Sequence, residues 1–221
     1  MPEKVTHEFA LIESLLFKRG YQRLERHLAR LEEAADQLGF SFSEARLLHL
    51  LEGQALQLAG NDLDRFKVRL LLEQDGLAWV SAERMPEQPA SARVKIAADA
   101  VDSGESLRRF KTTSRELFDR YGAELQRHSL YDVLFFNERE QLTEASRSNV
   151  FLQIAGELLT PPLSAGVLPG VYRAWVLEQD ARARESELGL ADLERAEAVY
   201  LCNSVRGWQQ VEVLPGRLSL H

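Results

Sequence analysis

Hydrophobic residues in this chain change their spacing near residue 60, and that change limits what it can fold into. Leu24, Leu28, Leu31, Ala34, Ala35 and Leu38 recur at three- and four-residue steps, which predicts an amphipathic helix stopped at Gly39. A second helix is expected from Ser43, whose Ser-Glu-Ala-Arg start can cap it, to about Ala59, with Gly60-Asn-Asp breaking it. Beyond this point the apolar runs are short. Phe66-Lys-Val-Arg-Leu-Leu-Leu alternates at its start, Leu77 to Ala82 is brief and apolar, and the stretch ending at Gly76 reads as a hairpin connection. Phe9 to Phe17 has strand length, although Glu13 and Ser14 interrupt it with polar side chains.

Further strands are expected at Val94 to Ala97, in the segment reaching Lys111, and at Tyr131 to Asn137, Asn149 to Ile154 and Glu157 to Thr160. Val199 to Asn203 and Trp208 to Val213 close the sheet, and a turn is expected around Glu138-Arg-Glu-Gln. Helices are expected over Ser114 to Arg127, from Val171 to about Glu178 after Pro169-Gly170, and over Ala191 to Glu197. The prolines of Met85-Pro-Glu-Gln-Pro-Ala-Ser mark a linker. This gives a small N-terminal α+β lobe (1–86), a linker (87–91) and a larger C-terminal α/β lobe (92–221), within an α+β class.

The formal charge of −7 argues against a nucleic acid or an anionic membrane as partner, since both reward a basic surface. No apolar run approaches the roughly 20 residues that span a bilayer, and the first residues do not read as a secretory leader. A cytoplasmic protein acting on a small molecule is the expectation. Cys202 is the single cysteine, expected to be packed and inert, and His7, His49, His128 and His221 lack metal-like spacing, so no metal site is expected.

Several residues can carry chemistry, each with a plainer reading beside it. Lys111 lies in Arg108-Arg109-Phe110-Lys111-Thr-Thr-Ser-Arg115, either a solvated charge cluster or a basic run able to lower an amine's pKa. Glu144 stands in Thr143-Glu144-Ala-Ser-Arg-Ser-Asn149-Val-Phe, alone no more than a turn carboxylate. Gly166-Val-Leu-Pro-Gly170-Val171-Tyr172 feeds a helix start, whose amides and dipole favour an anion, although Pro-Gly precedes many helices that bind nothing. Arg30 lies in His27-Leu-Ala-Arg30-Leu31 on the first helix, and Arg206 in Asn203-Ser-Val-Arg-Gly207; either reads equally as a surface cation. Glu13 and Ser14 are weaker candidates to face a ligand.

Taken in order, these motifs resemble the class-IV aminotransferase family, the fold-type IV pyridoxal-phosphate enzymes, from about Phe9 to Val213. Within it, the Lys111, Asp132-Val-Leu-Phe-Phe-Asn137 and Asn203 runs are most similar to aminodeoxychorismate lyase. The resemblance implies a two-lobed fold and pyridoxal 5'-phosphate as cofactor, with Lys111 as Schiff-base and catalytic lysine and Glu144 beside the pyridine nitrogen. It implies phosphate contacts from Arg30, from the amides of Val171 and Tyr172, and from Ser204 and Val205, with Arg206 receiving a substrate carboxylate. The implied activity is cleavage of 4-amino-4-deoxychorismate to 4-aminobenzoate and pyruvate, towards folate; a class-IV aminotransferase on a D- or small L-amino acid is the alternative. A homodimer and a transient synthase partner are also implied. Branched-chain members carry a tyrosine five residues after the lysine, where this chain has Glu116.

Overall fold

Two sets of strands organise the protein in the computed structural model, which describes residues 9–60 and 64–220. Asn61 and Asp62, expected to break the second helix, lie outside the described residues, as do His7 and His221. Two compact units result. One takes the chain up to Glu87 together with Phe110–Ser114; the other takes Gln88–Arg109 and the chain from Arg115 onward.

In the first unit, β1 (Leu11–Phe17) pairs antiparallel with β2 (Phe66–Leu72), which pairs with β3 (Ala78–Arg84). Helices α1 (Leu24–Leu38) and α2 (Glu44–Leu58) cover the sheet; Leu28, Leu31 and Ala35 of α1 and Leu47 and Leu51 of α2 join Leu11, Leu15, Val68 and Leu70 in one core. The period-two pattern of β1 places Glu13 between Leu11 and Leu15 on this face, and Glu13 is only 1% exposed. Helix α1 ends before Gly39, as its apolar spacing predicts. Ser43 makes no side-chain cap bond to α2, so that helix starts without the cap expected of it.

The second unit contains β4 (Arg93–Ala97), α3 (Glu116–Arg127), β5 (Asp132–Phe136), β6 (Leu142–Ala145), β7 (Asn149–Ile154) and β8 (Glu157–Thr160). It continues with α4 (Val171–Gln179), β9 (Ala183–Glu185), α5 (Leu190–Glu194), β10 (Ala198–Asn203) and β11 (Gly207–Leu218). The strand order is β10-β11-β4-β5-β6-β7-β8-β9, and β7 also pairs with β10, so the sheet closes into a barrel-like ring. Closure buries both faces of β5, β6 and most of β7. On β5, Leu134 and Phe136 enter the barrel core while Val133 and Phe135 pack towards Tyr121 and Leu125 of α3. Such two-sided burial gives β5 its uninterrupted apolar run.

The segment reaching Lys111 is not the expected strand: β4 stops at Ala97, and a short 3₁₀ turn follows at Ser106–Arg109. Lys111 also groups with the first unit rather than with the C-terminal lobe. The cause is backbone pairing with β1. Ile12 N–H donates to the Lys111 carbonyl at 2.8 Å, Thr113 N–H donates to Ala10 O at 2.9 Å, and Leu11 bridges Thr112. Strand β6 was not legible as a strand, β11 runs on to Leu218, and α5 is shorter than expected.

Candidate cofactor site

The first unit brings Lys111 and Arg30 into register with a single strand. Ile12 of β1 holds the Lys111 backbone, and its neighbour Glu13 holds Arg30. Arg30 Nε donates to Glu13 Oε1 at 2.8 Å and its Nη2 to Oε2 at 2.7 Å, a two-point grip that a planar guanidinium makes and an ammonium does not. His27 Nδ1 stands 2.6 Å from Glu13 Oε2. An ionised carboxylate only accepts, so Nδ1 carries that hydrogen. Burial pushes the Glu13 carboxyl up, but the Arg30 charge and the His27 hydrogen bond outweigh it and hold the group at about 2. Lys111 is half-buried and Thr112 fully so. Glu13 and His27 thus form a buried support beneath Arg30. The polar break in an apolar strand, and a histidine three residues before Arg30 that reads as a packing or orienting residue, are its signals in the sequence.

The second unit gathers the remaining residues on one barrel end and the helix beside it. Glu144, on β6, is 7% exposed. Its Oε2 accepts from Leu168 N–H at 3.2 Å and from Asn149 Nδ2 at 3.4 Å. Asn149 Nδ2 also donates to Leu168 O at 3.0 Å, so the loop before α4 is fastened to the β6–β7 hairpin. A Cβ on Gly170 would fall 1.9 Å from Asn149 Oδ1, which explains why glycine stands there. Val171 and Tyr172 form the first turn of α4, ahead of its first helical bond, Ala174 N–H to Gly170 O at 2.9 Å. Amides at that position meet an anion without further preparation.

Ser204, Val205 and Arg206 form the β10–β11 turn. Asn203 Oδ1 accepts from Val205 N–H at 3.1 Å and Arg206 N–H at 2.8 Å, while Asn203 Nδ2 donates to Ser148 Oγ at 3.0 Å. The Val205 amide is therefore engaged within its own turn, and Ser204 is buried. The Arg206 guanidinium lies 5.8 Å from the Tyr131 ring centroid. Burial raises the Tyr131 hydroxyl pKa, against the pull of Arg206. Next to Glu144, Arg115 is driven below its ordinary range by burial, which Asp119, Glu144 and Asp132 oppose. Among the described residues no His, Cys, Asp and Glu cluster could hold a metal, and no helix is long and apolar enough to cross a membrane.

The model of the amino-transferase class IV family matches residues 10–214. The chain belongs to that family. A crystal structure named "Putative amino-acid aminotransferase" from Mesorhizobium loti has 33% sequence identity and a TM-score of 0.86, covering 94% of this chain and 100% of that one. A Schizosaccharomyces pombe protein named "Putative aminodeoxychorismate lyase" is 27% identical over 209 residues, 90% of this chain and 87% of that protein. A hypothetical aminotransferase from Mycobacterium tuberculosis, solved in a PLP-bound form, has 21% identity and a TM-score of 0.83, covering 94% of this chain and 81% of that one.

Pyridoxal phosphate is the cofactor of this family. The donor sets fit it. The second unit offers a buried carboxylate for a cationic ring nitrogen and a helix start for a dianion, and the first offers a half-buried lysine and a guanidinium held in one orientation. Among the residues that hold these groups, Asn149 and Asn203 have no role in the sequence reading, Glu13 is there only a weak candidate to face a ligand, and Arg108 is only part of the basic run around Lys111. Asn149 and Asn203 sit inside the motifs, and their spacing gives no hint that one fastens a loop and the other a turn.

Proposed function

We propose that this chain is a pyridoxal-phosphate-dependent 4-amino-4-deoxychorismate lyase, releasing 4-aminobenzoate and pyruvate on the way to folate, as a cytoplasmic homodimer. The observation that carries it is the similarity, over 90% of the chain, to the protein named as such a lyase. Glu116 in place of the branched-chain tyrosine is compatible with it.

Bound cofactor supplies an electron sink for the pair left when a C–H bond beside the substrate amine is broken. Lys111 is assigned that proton: its neutral amine removes it from the amine-bearing carbon and returns one to the departing enolpyruvyl group, which leaves as pyruvate while the ring becomes aromatic. Glu144 keeps the ring nitrogen cationic. Arg30, Val171, Tyr172, Ser204 and Val205 are assigned to the phosphate; for Val205 this requires its amide to leave Asn203 or its side chain to serve as packing. Arg206 is assigned to a substrate carboxylate, with the Tyr131 ring beneath its guanidinium.

A second reading, transamination of a D- or small L-amino acid, is favoured by the 33% identity to the protein named an amino-acid aminotransferase. It uses the same Lys111 and Glu144, because both reactions begin with loss of the same proton. Incubation of the purified protein with enzymatically generated aminodeoxychorismate separates them. Equal release of 4-aminobenzoate and pyruvate establishes the lyase. A bound-cofactor absorbance band without either product, together with turnover of an amino acid and keto acid pair, moves the assignment to the transaminase.

A further inference from the structure

We infer that Arg108 is a positioning residue that ties the Glu144 carboxylate to the loop feeding α4, so that the group facing the cofactor ring and the helix start facing its phosphate are held as one piece. This rests on the readings of Glu144 and α4 given above, and concerns a residue that the motifs count only as part of the basic run around Lys111.

The geometry is specific. Arg108 leaves the 3₁₀ turn at Ser106–Arg109 and its side chain is only 6% exposed. Its Nε donates to Gly166 O at 2.8 Å, at the start of the loop, and its Nη2 stands 3.6 Å from Glu144 Oε1. Glu144 Oε2 in turn receives Leu168 N–H, two residues further along the same loop. Arg108, Glu144 and the loop therefore form a closed circuit, each joined to the other two. The guanidinium also lies 5.2 Å from the Phe118 ring centroid, a cation–π contact.

The loop approaches Arg108's own segment as closely as backbone can. Gly166 has φ 86, and a Cβ there would fall 2.7 Å from Ser103 Cα. Ser103 is itself anchored, its N–H and hydroxyl donating to Glu138 at 2.8 and 2.6 Å. The segment that leads to Arg108 is thus tied to Glu138 where it meets the loop.

Arg108 Nη2 is buried and makes no hydrogen bond in the structure. A buried guanidinium with an unsatisfied nitrogen is costly, and an apolar side chain could cover Phe118 without that desolvation. What an apolar residue cannot do is place a cation against Glu144 while donating to Gly166 O. A lysine supplies the cation without the fork, because one ammonium cannot reach two acceptors along the two edges of a guanidinium plane.

The test uses the full chain, stripped of cofactor, as wild type, Arg108→Lys, Arg108→Gln and Glu144→Gln. Dissociation constants are measured for pyridoxal phosphate and, separately, for inorganic phosphate, with thermal melts to establish that each variant is folded. Both Arg108 variants are expected to weaken inorganic phosphate and pyridoxal phosphate by about tenfold each, the size expected for one charged hydrogen bond. Glu144→Gln keeps an oxygen for Leu168 N–H, so it should weaken pyridoxal phosphate and shift its absorbance band while leaving inorganic phosphate unchanged. A purely structural Arg108 would lower the melting temperature and leave both constants of the folded protein at wild type. That result, or an Arg108→Lys variant that binds both ligands like wild type, overturns the inference. If instead Glu144→Gln changes neither the pyridoxal phosphate constant nor the band, the reading of Glu144 fails first and the inference with it.

Discussion

Glu13 and Glu144 are both buried carboxylates next to arginine, one in each unit, and they are held very differently. Glu13 receives Arg30 twice and faces His27, at 2.6 to 2.8 Å. Glu144 meets Leu168, Asn149 and Arg108 at 3.2 to 3.6 Å. A carboxylate whose partners close on it at short range serves the partners: Glu13 fixes the direction of Arg30. One met at longer range by a loop amide, a side-chain amide and a guanidinium joins the elements that carry them: Glu144 links β6 to the loop before α4 and to the Ser106–Arg109 turn. The first arrangement is therefore expected to matter most for stability, and the second for turnover.

Replacing Lys111 by Ala tests whether the comparison has catalytic meaning at all. Complete loss of turnover and of the cofactor's visible band is expected, with a folded protein by circular dichroism. Were turnover retained, the two carboxylates would be only two ways of burying a charge.

Glu13→Ala should give the largest loss of stability, about 3–5 kcal/mol in urea unfolding, because it removes the buried carboxylate that Arg30 and His27 share. The same pair predicts a pH dependence. A carboxyl held at about 2 against an ordinary 4.5 stabilises the fold above the unfolded value and loses that contribution as pH falls towards the folded one. Stability of the wild type should therefore drop by roughly 3 kcal/mol between pH 4.5 and 2 from this group, a drop missing in Glu13→Gln. Glu138 is also depressed to about 2 by Ser103, but it is present in both proteins and cancels in the difference. If the two pH profiles run parallel, Glu13 is not the linked group.

Glu144→Gln is expected to invert the pattern: about a hundredfold in kcat, from loss of the charge proposed to keep the ring an electron sink, against less than about 1.5 kcal/mol of stability. Equal loss of stability in Glu13→Gln and Glu144→Gln would erase the distinction.

What the sequence disclosed follows the reach of each signal. Strands β7 and β8 and the end of α1 lie where local apolar patterns place them, since those patterns are set by neighbours one to four residues away. Strand β6 escaped notice because its four residues include Thr143 and Glu144, polar groups buried by the closing of the barrel rather than by any local periodicity. Lys111, Glu144 and the Gly170 helix start were legible as motifs. Their supports were not: Arg108 reaches Glu144 and Gly166 from a distant turn, and Glu13 looked like an interruption because its partners lie one helix away. Pairings of this kind leave no period in the chain.

Cys202 extends the comparison to a buried acid with no close partner, and the smallest effect is expected there. It lies on β10 among Phe151, Leu158 and Val176, and burial raises its thiol pKa far above the ordinary value, against the pull of Arg173. Where Glu13 is kept ionised by the Arg30 cation at hydrogen-bonding distance and by the His27 hydrogen bond, this thiol is kept neutral by apolar walls, so the thiolate needed for reaction is not populated. A disulfide reagent should leave the native protein unmodified over hours and label one thiol on unfolding in urea. Cys202→Ala should cost about 1 kcal/mol or less and leave turnover unchanged. Rapid labelling of the native protein would mean that the wall formed by α4 over β10 opens readily, and since α4 begins at the proposed phosphate cradle, added pyridoxal phosphate should then slow the labelling.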